Sequence, residues 1–365
     1  MELILAFALA GAITTIGIVA LLKFPGVGQF MDTTDKPNAM HVTPVPRIGG
    51  MAMFAAIFLL AVCAMVIRPQ WTALNVAMML AAGLAALSAR DDRTSLSPQF
   101  RLCAHMAAAL LVVFFAENFH PTGTPMGSEQ TWIVHPLGMV FLVLVVVWMT
   151  NLYNFMDGAN GLAGFMGVIG FGALAIAGQS AAPQIDSAAL TTVCAAIAGA
   201  CLGFLFFNFP KARVFMGDAG SIPLGFLAAA LGLYGALNSI WPGWLPVLVF
   251  SPFIVDATVT LARRLLRRER VWEPHRQHYY HRLILCLGWS HTRTTLAYGL
   301  VMGLAALHAV LTFMTNWSPL SDRGATALPP FHVGAWVLIY ALLLIGLERR
   351  FSKKKNKSSN KKNEI

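Results

Sequence analysis

Apolar positions along this chain fall in long unbroken runs, not in the alternation of a strand or the one-sided stripe of a surface helix. Eleven runs stand out, at 3–22, 48–67, 72–89, 102–116, 136–153, 161–179, 188–207, 221–237, 244–262, 294–315 and 331–348. Each approaches the roughly 20 residues a helix needs to cross a hydrocarbon layer about 30 Å thick. Gly and Ala recur through them, as close helix packing in lipid requires, and the lack of apolar–polar alternation speaks against a membrane barrel. The pattern predicts an all-α, polytopic membrane bundle of about eleven transmembrane helices, with ten as the lower count. Residues 1–350 read as one integral membrane domain. The first cation is Lys23, after the first run, so that run is expected to stay uncleaved with its N-terminus outside.

Composition sharpens this picture. Of 365 residues 57% are hydrophobic and only 12% charged, against roughly 25% charged in an ordinary soluble domain. That excludes a disordered chain, a nucleic-acid reader and almost any water-soluble enzyme. The formal net charge of +10 would suggest a polyanionic partner in a soluble protein. Here the cations are distributed by side. Alternating loops from an outside N-terminus place 23–47, 90–101, 154–160, 208–220, 263–293 and 349–365 together, and these hold 24 of the 26 Lys and Arg. Only Arg68 and Arg323 fall on the other face. So lopsided a count marks the cytoplasmic side and puts the C-terminus there. The Lys-rich end, 351–365, is expected to be a disordered tail at the membrane surface. The five cysteines show no CxxC spacing, and four lie in apolar runs, so buried thiols are expected instead of a disulfide or metal framework.

The candidate chemistry gathers in the loops of that basic face, where charge close to hydrocarbon is costly and marks function. The first loop carries Asp32, Asp35, Lys36 and His41 and then Pro44-Val45-Pro46-Arg47-Ile48-Gly49-Gly50, a rigid approach that brings the backbone closely into the second span. Lys36, His41 and Arg47 could hold an anionic group. Arg90-Asp91-Asp92-Arg93 pairs two repelling carboxylates, which a divalent cation or the flanking arginines would reconcile. Residues 151–163 set Asn151, Asn154, Asp157 and Asn160 among tight turns, a set suited to a hard cation or a sugar. In 208–221, Asp218 and Ser221 could cap the eighth span or hold a metal–phosphate unit near Lys211 and Arg213. Asp256 is a buried acid near the same face. In 273–283, a helix would put His275, His278 and His281 on an arc of about 120°, with Arg276 and Arg282 beside them. Zinc is conceivable there, but phosphate or nucleotide binding fits better without a fourth ligand. Carboxylates for Mg²⁺ beside cations for phosphate are the means of phosphoryl transfer.

In order, DKPNAMH with PVPRIGG, ARDD, NLYNFMDGANGLAG, NFPKARVFMGDAGS and PHRQHYYHRL cover residues 32–293. This series resembles the polyprenyl-phosphate N-acetylhexosamine-1-phosphate transferases, and the NFMDGANG and HRQHYYHRL forms look closest to the branch that initiates O-antigen and other surface polysaccharides. The resemblance implies a bacterial inner-membrane enzyme with a cytoplasmic active site. Undecaprenyl phosphate would attack a UDP-N-acetylhexosamine, releasing UMP, with Mg²⁺ (or Mn²⁺) required. It implies catalytic roles for Asp91, Asp92 and Asp157, with Asp218 and Asp92 as metal ligands. Lys36, Arg47, Asn154, Asn160, Lys211, His275, Arg276, His278, His281 and Arg282 would bind substrate, and relatives imply a homodimer. Many members carry an Asp where this chain has Asn160, so no catalytic proton belongs at that position. The competing class is an ion- or proton-coupled transporter, which predicts mid-span acids and internal repeats. A phosphotransferase acting on CDP-activated lipids is a third, but Asp157-Gly158-Ala159-Asn160 does not continue into its pattern.

Overall fold

The computed structural model describes residues 2–32, 44–67, 73–94, 96–118, 136–181, 185–270, 273, 275–316 and 330–363. In chain order these form α1 (Glu2–Leu22), a 3-10 turn (Pro25–Phe30), β1 (Met31–Asp32), β2 (Val45–Pro46), α2 (Gly49–Ile67), α3 (Ala73–Thr94) and α4 (Pro98–Asn118). Then follow α5 (Pro136–Phe155), α6 (Leu162–Ser180), α7 (Ile185–Asn208), α8 (Asp218–Leu237), α9 (Trp244–Val249) and α10 (Ser251–Leu266). The series ends with α11 (Tyr279–Leu287), α12 (His291–Asn316) and α13 (Pro330–Asn363). Ten of these helices are long and apolar enough to cross a membrane: α1 to α8, α12 and α13. The protein is an all-α polytopic membrane bundle, as the apolar runs predict.

Helix α8 is the axis of the bundle. Nearly every residue from Ala219 to Leu237 is buried, with α3 and α5 packed along it. The outer helices are the reverse. Phe331, Val337 and Leu342 of α13 are exposed, as are Leu144, Leu300 and Leu304 elsewhere on the periphery, which suits side chains meeting acyl chains. Between α1 and α7 the backbones touch: a Cβ on Gly199 would stand 2.0 Å from the Phe7 carbonyl oxygen. Close approach of this kind is the main source of helix association in lipid.

Three expectations are corrected. The run 244–262 is not one helix but two, α9 and α10, meeting at Phe250. Pro252 has no N–H for the Leu248 carbonyl, and the Ser251 hydroxyl donates to that oxygen instead, at 2.7 Å. The Lys-rich end, expected to be disordered, continues α13 as helix through Asn363. Extending a helix already nucleated in the apolar segment costs far less than starting one. All five cysteines are free, as expected, but only Cys194 and Cys201 are buried; Cys63, Cys103 and Cys286 are exposed. An apolar run in a membrane protein can face lipid as readily as protein.

One joint positions everything that follows. Strands β1 and β2 pair antiparallel, with Asp32 opposite Val45, and the Arg47 N–H donates to Phe30. Beyond the hairpin, Phe215 N–H donates to Pro46, Gly49 N–H to Phe215 and Gly50 N–H to Met216, at 2.8–3.0 Å. The start of α2 is thereby zipped to the segment entering α8. A Cβ on Gly50 would lie 2.2 Å from the Gly220 nitrogen, so the two helix starts meet with no side chain between them. Gly50→Ala is therefore expected to destabilise the fold by ~1–3 kcal/mol or more. The check is a lowered thermal unfolding midpoint in detergent, with Gly28→Ala, which has open space around it, as the unaffected control.

Candidate active site

The α2–α8 joint brings three acidic segments together at one end of the bundle. The last turn of α3 carries Asp91 and Asp92, and α8 starts at Asp218. The turn between α5 and α6 carries Asp157. Arg47, just after β2, bridges Asp32 at 2.8 Å and Asp92 at 3.3 Å. Arg101, in the first turn of α4, reaches Asp91 at 2.9 Å and Asp218 at 3.5 Å. The Asp91–Asp92 pair is thus reconciled by Arg47 and Arg101, not by its sequence neighbours. Arg93 instead lies over the Phe30 ring, 4.3 Å from its centroid. Asn154 Nδ2 donates to Asp218 and to Ser221 Oγ, both at 2.9 Å, which fixes the start of α8 against the end of α5. Gly217 adopts φ +70°, a conformation that calls for glycine, and a Cβ there would also crowd Arg47 at 3.2 Å. Asp157 is partly buried. Desolvation first, and the Asp218 charge second, push its carboxyl well above the usual range, with Arg47 opposing.

The histidines form a second half, arranged differently from a single helical face. His275 and His278 precede α11, with His278 at its N-cap position, and only His281 lies within it. Their rings still follow one another, tilted by about 30°, with centroids 4.8 Å apart between His275 and His278 and 5.9 Å between His278 and His281. Asp256 on α10 organises this half. It accepts from the N–H groups of Tyr279 at 2.9 Å and Tyr280 at 3.3 Å, occupying donors that a helix start leaves unpaired, and from the Tyr298 hydroxyl. His278 Nδ1 lies 3.3 Å from the same carboxylate, both groups buried. Burial first and neighbouring His278 second hold the His275 imidazole down to about 4 and that of His281 down to about 3. Nδ1 of His281 is buried without a hydrogen-bond partner among the described residues, so a donor or acceptor is wanting there.

Tyr280 joins the two halves. Its hydroxyl donates to the Phe155 carbonyl at 2.9 Å, and a Cβ on Gly158 would sit 2.1 Å from the Tyr280 hydroxyl oxygen. The histidine helix thus braces the turn that carries Asp157.

Of the predicted site residues, Asp91, Asp92, Asp157, Asp218, Arg47 and Asn154 converge, and His275, Arg276, His278 and His281 flank them. Lys36 lies outside the described residues. Three others take different places. Asn160 ties its turn to Pro210 through Nδ2 at 3.3 Å, and the Gly161 N–H donates to Asn208 Oδ1 at 2.6 Å, so the turn is anchored at two points. Lys211 is exposed on the connection after α7. Arg282 turns away to fork onto Glu348, at 2.5 and 2.9 Å. Arg101 is a residue of the site that sequence reasoning missed, while Asp32 and Asp256, named there without partners, prove to face Arg47 and His278. Arg101 had a readable signal, one turn of helix after Pro98 and ten residues from Asp91. His105, one turn further along α4, is buried on the same side.

Residues 71–236 match Glycosyl transferase family 4. The "Probable undecaprenyl-phosphate N-acetylglucosaminyl 1-phosphate transferase" of Bacillus subtilis is 28% identical over 295 residues, 78% of this chain and 79% of that protein. A decaprenyl-phosphate N-acetylglucosaminephosphotransferase of Mycobacterium leprae is 30% identical over 335 residues, 85% of this chain and 82% of its own. The phospho-N-acetylmuramoyl-pentapeptide-transferase of Shouchella clausii is 28% identical over 326 residues, covering 84% and 95%. With the carboxylates, arginines and histidines of the resembled motifs drawn to one end of a membrane bundle, these likenesses settle the family. The chain belongs to the polyprenyl-phosphate N-acetylhexosamine-1-phosphate transferases.

Proposed function

We propose that this protein transfers N-acetylhexosamine-1-phosphate from a UDP-sugar to undecaprenyl phosphate, releasing UMP, as the first step of a surface polysaccharide such as O-antigen. The convergence of Asp91, Asp92, Asp157 and Asp218 around Arg47 and Arg101 carries this reading. The site would face the cytoplasm of a bacterial inner membrane, where 24 of the 26 cations are expected. There the prenyl chain stays in lipid while its phosphate meets the soluble nucleotide.

In the reaction a phosphate oxygen of the lipid attacks the β-phosphorus of the UDP-sugar. A new P–O bond forms as the bond to the bridging oxygen breaks, and UMP leaves with that oxygen. A phosphate monoester has its second pKa near 6, so the lipid phosphate is largely dianionic at neutral pH. Removing a proton is therefore the smaller task for Asp91 and Asp92, and offsetting repulsion between two anions is the larger. Arg101, about one-third exposed, is free on one side to meet phosphate. Among the described residues no three His, Cys, Asp or Glu side chains form a ready metal cage. Mg²⁺ is commonly held by one or two carboxylates, with water and substrate phosphate completing its shell. The carboxylates of Asp218 and Asp92 fit that habit. These residues would hold the ion, which when bound supplies positive charge to the diphosphate. His275 and His281, neutral at pH 7, would offer N–H donors to the nucleotide's phosphates. A transporter reading would need acids at mid-span, whereas these lie at span ends.

Asp218→Asn is expected to abolish UMP release from undecaprenyl phosphate and UDP-N-acetylglucosamine, with the protein still folded. Chelation by EDTA should stop the wild type, and added Mg²⁺ should restore it. Mutant turnover near that of wild type would overturn the metal assignment. Asp91→Asn and Asp92→Asn should each lower turnover by about 100-fold or more. A second expectation concerns pH. The unfolded chain protonates His275 and His281 near 6.5, but the fold holds them at about 4 and about 3. Between these values the unfolded state binds more protons, so the stability present above about pH 6.5 is lost as pH falls through the window. Across pH 6.5 to 4 the unfolding midpoint in detergent should therefore fall more steeply, or rise less, in the wild type than in His281→Gln. Equal slopes would contradict neutral burial of His281.

A further inference from the structure

Helix α13 lies beyond the resembled motifs and beyond the matched family region, and most of it faces outward. It touches the bundle along one stripe. Trp336 Nε1 donates to His308 at 2.5 Å, the Tyr340 hydroxyl lies 2.6 Å from Ser251 Oγ, and Leu344, Leu347 and Phe351 pack beside α11. Steps of three and four residues are the spacing of one helical face. Glu348 belongs to that stripe, and its carboxylate accepts from four donors: Arg263, Tyr279 at 3.0 Å, and both Nη atoms of Arg282. The Arg282 guanidinium also lies 4.0 Å from the Phe351 ring centroid. A bidentate, charge-assisted pair fixes orientation as well as distance.

Helix α11 is gripped between this latch and the site. Tyr279, Arg282 and Leu283 face α13, while Tyr280 and His281 face the other way, toward Phe155 and His278. From these contacts we infer that Glu348 is a positioning residue for the donor half of the site. Its carboxylate sets the rotation of α11, and through Tyr280 the place of the turn bearing Asp157. This rests on the histidines binding the sugar nucleotide.

The test uses full-length enzyme in detergent with undecaprenyl phosphate, Mg²⁺ and whichever UDP-N-acetylhexosamine supports wild-type turnover. Glu348→Gln should raise the KM for the nucleotide by about tenfold, the loss of roughly 1.4 kcal/mol. The KM for the lipid should stay within about twofold. Glu348→Asp should recover most of the affinity. Unfolding midpoints distinguish misfolding from misplacement. Unchanged nucleotide KM in Glu348→Gln, or a parallel rise in both KM values that follows a lowered midpoint, overturns the inference. If Asp218→Asn is inactive while Glu348→Gln behaves as wild type, the transfer reading stands and only the latch fails.

Discussion

Carboxylates of one sign cannot share the end of a membrane bundle without something to reconcile them. Here two arginines from separate segments do so, Arg47 after the hairpin and Arg101 at the start of α4. Each touches two aspartates that belong to different elements. The Asp218 charge repels charge on both Asp92 and Asp157, and Arg47 opposes it at each. The hairpin, the start of α4 and the start of α8 must therefore meet at fixed separations. The bundle is built around that requirement. A largely buried α8 places Asp218, and the contact of Gly50 with Gly220 brings Arg47 beside it.

The histidine half meets the same problem with different means. Asp256 satisfies two backbone donors at the start of α11 and sits against His278 at once. One buried carboxylate thus serves as helix cap and as ring orienter. That economy fits a helix of only nine residues, which has little packing of its own to hold it. It also explains why α11 leans on neighbours at both faces.

How much of this could be read from residues alone differs by scale. The spans were legible because a continuous apolar run has few other solutions in lipid, and the acidic motifs because charge near hydrocarbon is conspicuous. Phe250 broke the ninth run through Pro252, a signal present in the sequence but masked by the hydropathy around it. The partners of the aspartates were legible only in part. Arg90 and Arg93 adjoin the pair in sequence, yet the last turn of α3 points those side chains elsewhere. Arg101 lies across a turn that only the tertiary fold closes. Arg282 shows the same limit in reverse, since an arginine amid histidines reads as a phosphate ligand until Glu348, 66 residues on, claims it.

The meeting of Gly50 and Gly220 has one further meaning. A joint formed by two absent side chains has no adjustable part. Every substitution at either position can only pry the hairpin away from the start of α8, and none can draw them nearer. Drift in sequence there is one-sided, always loosening. Refinement of the spacing between Arg47 and Asp218 is left to the polar side chains around the joint, which can lengthen, shorten or exchange partners while the backbone beneath them stays a fixed datum.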